Sequence, residues 1–74
     1  MKPHLSGLQV GESCTVTDIH ARGSIRRRLL DIGLIEGTRV KCVMKSPCGD
    51  PVAYQIRGAV IALRGEDSAR IDII

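Results

Sequence analysis

The sequence predicts an all-β protein: a small barrel of about five short strands with one short helix inserted after the first. Three observations carry this expectation. Alternating or β-branched runs recur at near-regular spacing. Gly- and Pro-rich clusters separate them. Only residues 25–32 place apolar side chains at helical rather than strand spacing.

The elements follow in order. Residues 8–12 read as a turn broken by Gly11, and Ser13 to His20, rich in β-branched residues, reads as the first strand. Cys14 and Val16 share a face and Ile19 is out of phase with them, so a bulge near Thr17-Asp18 is expected. Ser24 offers a hydroxyl N-cap to a helix over 25–32, and Gly33 suits the left-handed residue that closes it. Ile25, Leu29 and Ile32 form the apolar stripe of that helix, while Arg27 and Asp31 pair on the opposite side. Leu30 falls off the stripe among arginines, either packed under a loop or offered to a partner. Arg39 to Lys45 alternates with Val40, Cys42 and Met44 inward. Residues 46–51 make a turn, Val52, Tyr54 and Ile56 point inward from the next strand, and Ala59 to Arg64 is a further strand. Gly65-Glu66-Asp67 is expected to turn, and Ala69, Ile71 and Ile73 alternate with Arg70 and Asp72 in the last strand. Five short strands with one helical insertion in so short a chain draw an SH3-like barrel, whose closure would also protect strand edges.

Composition narrows the function. The 74 residues are read as one domain, 1–74, with a core limited by size. There is no Trp or Phe and a single Tyr, which disfavours an aromatic groove for proline-rich peptides and a stacking platform for single strands. The first residues carry no apolar core of a secretion signal, and no run is long enough to span a membrane, so a cytoplasmic protein is expected. Three cysteines cannot pair completely.

No nucleophile elbow, P-loop or zincin motif is present, and neither His4, near the start, nor His20, at a strand end, has a carboxylate or nucleophile at diagnostic spacing. No catalysis, cofactor or metal ligand set is therefore expected. Cys14, Cys42 and Cys48 contain no close pair, and the plain reading is two core thiols and one surface thiol. Weak metal binding by Cys48, Asp50 or a histidine stays open. The net charge of +3 divides almost evenly between the halves, except for four arginines within 22–28. Arg26, Arg27 and Arg28 span 200° of helix and read either as a solvated face or as a footprint for an acidic protein or phosphate.

The ordered motifs are more specific than any one of them. Leu8-x-x-Gly11 is followed by Arg27-Arg28-Leu29-Leu30-Asp31-Ile32-Gly33-Leu34-x-x-Gly37. After these come Pro47-x-Gly49-Asp50-Pro51, Arg57-Gly58, Ile61-Ala62-Leu63-Arg64 and Asp67-x-Ala69. Together they resemble the ferrous iron transport protein A (FeoA) family over essentially the whole chain. The resemblance implies an SH3-like barrel with a helical insertion and a small cytosolic accessory of bacterial ferrous iron uptake. The implied partner is FeoB, a membrane permease with a cytoplasmic GTP-binding domain. It also implies a loose association with transition metals. A related domain ends iron-dependent repressors, which makes a small basic barrel contacting nucleic acid or an acidic ligand the alternative. With no DNA-binding domain ahead of it in this sequence, the accessory reading is preferred, with no nucleic acid, membrane insertion or small-molecule substrate expected. Leu29, Ile32, Gly33 and Gly37 are then fold residues, and Arg26, Arg27, Leu30 and Arg28 are the expected partner surface.

Overall fold

The computed structural model describes residues 3–74. A short 3-10 turn, Leu5–Gly7, precedes strand β1 (Ser13–Ile19), helix α1 (Gly23–Asp31), β2 (Arg39–Lys45), β3 (Val52–Ile56) and β4 (Ala59–Leu63). Helix α2 (Gly65–Ser68) and β5 (Ile71–Ile73) complete the chain. The strands form one antiparallel sheet in the order β4-β3-β2-β1-β5. The described residues together span a nearly isotropic 29 × 26 × 23 Å, and the inward side chains of the five strands share one core, so the sheet wraps around it instead of lying flat.

β1 carries the expected bulge. Its first half pairs with β2 (Cys14 opposite Val40), its second half pairs with β5 (Ile19 opposite Ile71), and the β5 register shifts between Val16 and Asp18. The extra residue changes the parity of the strand, so Cys14, Val16 and Ile19 are all buried. The same device in β2 overturns one expectation. Met44 is 63% exposed, because a second irregularity between Cys42 and Met44 flips the later residues to the other face.

β3 and β4 join through Arg57 and Gly58, both at positive φ (50° and 83°), with Ile56 opposite Ala59. Two left-handed residues match the twist of a two-residue hairpin. Tyr54 on β3 is buried, and its hydroxyl donates to the Leu5 carbonyl at 3.3 Å. That bond ties the 3-10 turn into the core, where Leu5 is wholly enclosed. The edge of β5 is covered rather than closed: Ile73 N–H donates to the Pro3 carbonyl at 3.1 Å, and His4 bridges Asp72.

Other local expectations are corrected. Gly23, at φ 66°, starts α1 one residue ahead of the predicted cap. Ser24 therefore lies inside the first turn, and Arg22 takes the cap position with no side-chain bond. Arg27 and Asp31 form no ion pair, as expected for exposed groups that gain little from pairing in water. Residues 65–68 form α2 where a simple turn was expected, and the Asp50 carboxylate accepts the Gly65 N–H at 2.7 Å. Asp72, expected outward, is buried.

The far end of α1 is as the sequence predicts. Gly33 (φ 85°) N–H donates to the Leu30 carbonyl and Leu34 N–H to the Leu29 carbonyl, both at 2.9 Å, which is a complete Schellman closure. Leu29 and Leu34 enter the core on either side of it, and Ile25 and Ile32 pack against that core.

Two stability predictions follow from these contacts. Tyr54→Phe removes the hydroxyl's bond to the Leu5 carbonyl, which keeps the Leu8 N–H at 3.1 Å, and should cost about 1 kcal/mol in urea unfolding, whereas Tyr54→Ala should cost about 3–5 kcal/mol. Equal costs would mean that the hydroxyl is idle. A Cβ on Gly33 would meet the Arg57 Cδ at 2.7 Å in a left-handed backbone. Gly33→Ala should therefore cost at least about 1 kcal/mol, and an unchanged urea midpoint would contradict that.

Candidate functional site

Two neighbourhoods stand out. The first is an open groove of about 230 Å3 lined by Ile19, Arg26, Leu30, Ile35 and Glu36. Leu30 and Ile35 are each 43% exposed. Leu30 faces out because the stripe of Ile25, Leu29 and Ile32 already occupies the inner side of α1. Ile35 faces out because Leu34 before it is drawn into the core. Arg26 is anchored, its Nη1 donating to the Ile19 carbonyl at 3.2 Å.

The loop presenting Ile35 is pinned by Thr38. Its buried hydroxyl accepts the Ile35 N–H at 3.1 Å and donates to the Gly33 carbonyl at 3.3 Å. The same carbonyl accepts the Arg57 Nε–H at 2.9 Å. Of the residues expected at a partner surface, the structure brings Arg26 and Leu30 together. Arg27 and Arg28 are exposed and do not line the groove. Ile35 and Glu36 join the groove although sequence reasoning missed them. The available signal was Ile35 itself, an apolar residue directly after the helix-closing Gly33-Leu34.

The second neighbourhood gathers the histidines around Asp72. His4 Nδ1 lies 3.0 Å from Asp72 Oδ1 and His20 Nε2 lies 2.9 Å from Asp72 Oδ2, while the Asp72 side chain is only 6% exposed. Each contacting nitrogen must carry a proton to donate to the carboxylate. The His20 hydrogen bond is the main cause that holds the Asp72 carboxyl below the ordinary carboxylate range, against the opposing effect of burial. Sequence spacing could not show this arrangement, because 52 residues separate His20 from Asp72. The cysteines stand as expected: Cys14 and Cys42 are buried and Cys48 is exposed, with burial raising the Cys14 thiol.

A five-stranded antiparallel sheet wrapped on one core, with a helix inserted between its first two strands, defines a small SH3-like barrel. No helix among the described residues is long and apolar enough to cross a membrane. The FeoA domain model matches residues 4–74, and the chain belongs to the FeoA family, which acts in ferrous iron transport. A fusion of Fe(2+) transport protein A with the Fe(2+) transporter FeoB from Porphyromonas gingivalis is 35% identical over 69 residues, or 93% of this chain. The chain spans 8% of that fusion's length. The solution structure of FeoA from Chlorobium tepidum matches with a TM-score of 0.91 at 32% identity, over 96% of this chain and 68% of that one. FeoA of Stenotrophomonas maltophilia in complex with zinc, described as an SH3 domain protein, matches with a TM-score of 0.81 at 33% identity, over 97% and 89%.

The histidine contacts carry a pH prediction. Asp72 is more acidic folded than unfolded, so the unfolded chain binds more protons in the window between the two values. Its contribution to stability is present above the unfolded value and is lost as pH falls through the folded one. Urea midpoints of the wild type should fall on acidification below about pH 4, whereas Asp72→Asn should start lower at pH 7 and show a shallower acid slope. Parallel curves would remove the Asp72 contribution.

Proposed function

We propose that this protein is a non-catalytic, cytoplasmic accessory of ferrous iron uptake that binds the cytoplasmic side of the membrane transporter FeoB. The contact surface is the groove of Ile19, Arg26, Leu30, Ile35 and Glu36. The observation that carries this reading is the exposed pair Leu30 and Ile35, set in a groove with one arginine and one glutamate at its rim. An apolar centre with a charged rim is how binding energy concentrates in protein interfaces.

Rigidity favours the same reading. The Schellman closure holds Leu30 and the Thr38 hydroxyl holds Ile35, so little side-chain and loop ordering remains to be spent on binding. The fused relative supports FeoB as the partner: there a homologue of this chain and FeoB are one polypeptide. Tethering of that kind is useful when the two modules touch, because the linkage raises their effective concentration. In this reading Arg27 and Arg28 steer the approach from outside the groove and add little to the bound state.

Binding to detergent-solubilised FeoB, followed by amide line broadening and by affinity at low and moderate salt, tests the proposal. Broadening should centre on residues 26–36 and persist at moderate salt. Leu30→Ala or Ile35→Ala should weaken binding about 10- to 30-fold, and Arg27→Ala about twofold. Undiminished affinity of the Leu30→Ala/Ile35→Ala double variant would reject the groove. Equal broadening with duplex DNA that disappears steeply with salt would favour phosphate contact instead.

A further inference from the structure

We propose that Asp18, His20 and Asp72 form a binding site for one first-row divalent cation, with His4 as the residue that orients the Asp72 carboxylate. The site is separate from the Leu30–Ile35 groove, and it does not rest on the FeoB reading.

Charge placement favours a cation at this point. Asp18 and Asp72 are direct partners across the β1–β5 ladder, and like charges placed opposite each other on paired strands repel. Asp72, the buried one of the two, already accepts from His4 and His20, so a dication would offset the repulsion between the carboxylates and take over the compensation that His20 gives.

The distances between the ligand atoms fit an ion as well. Asp18, His20 and Asp72 each place one ligand atom within 4.8 Å of the others. His20 Nε2 lies 2.9 Å from Asp72 Oδ2 and 3.9 Å from Asp18 Oδ2. Ligands bound at about 2.0–2.2 Å from one metal ion sit roughly 3–4 Å apart, so small side-chain adjustments suffice. The bulge after Val16 is the sequence device that makes this work, since it sets Asp18 opposite Asp72 with His20 two residues on.

The ligands are also held from behind, as metal ligands require. Asp18 Oδ1 accepts the Ile19 N–H at 2.9 Å, which directs Oδ2 toward His20. Asp72 Oδ1 contacts His4 Nδ1 at 3.0 Å, leaving Oδ2 for the ion. The His20 N–H donates to the Arg70 carbonyl at 2.8 Å, fixing the backbone that carries the imidazole. The His20 side chain is 55% exposed, so an ion can reach the site from solvent, with Asp72 as its floor and water completing the coordination.

One imidazole nitrogen and two carboxylate oxygens suit ions such as Mn2+, Fe2+ or Zn2+. They lack the thiolates that select Cu(I) and the six to eight oxygens that select Ca2+. His20 Nε2 must give up its proton to the solvent, or hold it on Nδ1, for its lone pair to bind. Binding therefore competes with protons and weakens on acidification.

Untagged, metal-free protein titrated with Zn2+ by calorimetry and with Mn2+ by paramagnetic broadening tests the site. One Zn2+ per chain is expected, with Mn2+ broadening centred on Asp18, His20 and Asp72. His20→Ala and Asp18→Asn should each weaken Zn2+ binding at least about tenfold, and His4→Ala about tenfold through orientation alone. Cys48→Ser should leave the affinity unchanged. Asp72→Asn is not the deciding variant, because it also alters a buried contact. The solvent-facing His20→Ala and Asp18→Asn changes decide, with folding checked by amide spectra. No binding up to about 1 mM Zn2+ (about −4 kcal/mol), full affinity in the His20→Ala/Asp18→Asn double variant, or loss of binding on Cys48→Ser would each overturn the site.

Discussion

Ser13, Cys14 and Thr15 of β1 pair with β2, while Val16, Asp18 and Ile19 pair with β5. A regular strand that kept its parity through this change of partner would turn either Val16 or Ile19 to solvent. The extra residue between Val16 and Asp18 resolves the conflict, and all the inward side chains of β1 reach one core. The remaining architecture hangs on that bend. β2, β3 and β4 extend from one side of β1, and β5, with Pro3 and His4 along its outer edge, closes the other. In a chain this small, where size limits the area a core can bury, neither half would be stable alone.

The second organising point is the Gly33 carbonyl, which accepts from both the Thr38 hydroxyl and the Arg57 side chain. It joins the end of α1, the approach to β2 and the β3–β4 hairpin. A loop fixed at three places can present apolar side chains outward without collapsing onto the core, and Leu30 and Ile35 are presented in this way. The positive-φ glycine suits that place twice over, for its backbone and for the close approach of Arg57.

The strands and α1 were legible in the sequence because each is encoded locally. Alternation marked Val52, Tyr54 and Ile56, the helical stripe marked Ile25, Leu29 and Ile32, and Gly33 marked the stop. Even the β1 bulge was readable, since Cys14, Val16 and Ile19 cannot share a face of a regular strand. The bulge at Met44 was not, because Val40, Cys42 and Met44 alternate perfectly and only the pairing with β3 breaks the phase. Ser24 failed as a cap for a related reason: the backbone of Gly23 set the start of the helix, and no side-chain pattern reports it.

Of the candidate groove, Arg26 and Leu30 could be read from the helix pattern, whereas Ile35 and Glu36 required knowing where the loop after Gly33 runs. The histidine–aspartate cluster could not be read at all. His4, His20 and Asp72 come from the start, the β1 exit and the last strand, and each looked exposed in its own segment. The sequence by itself determined the family, the strand and helix content and most of the core, because periodicity and turn chemistry act over a few residues. Only the tertiary structure decided the groove and the Asp72 cluster, because strand register and loop path set the distances between residues far apart in the chain.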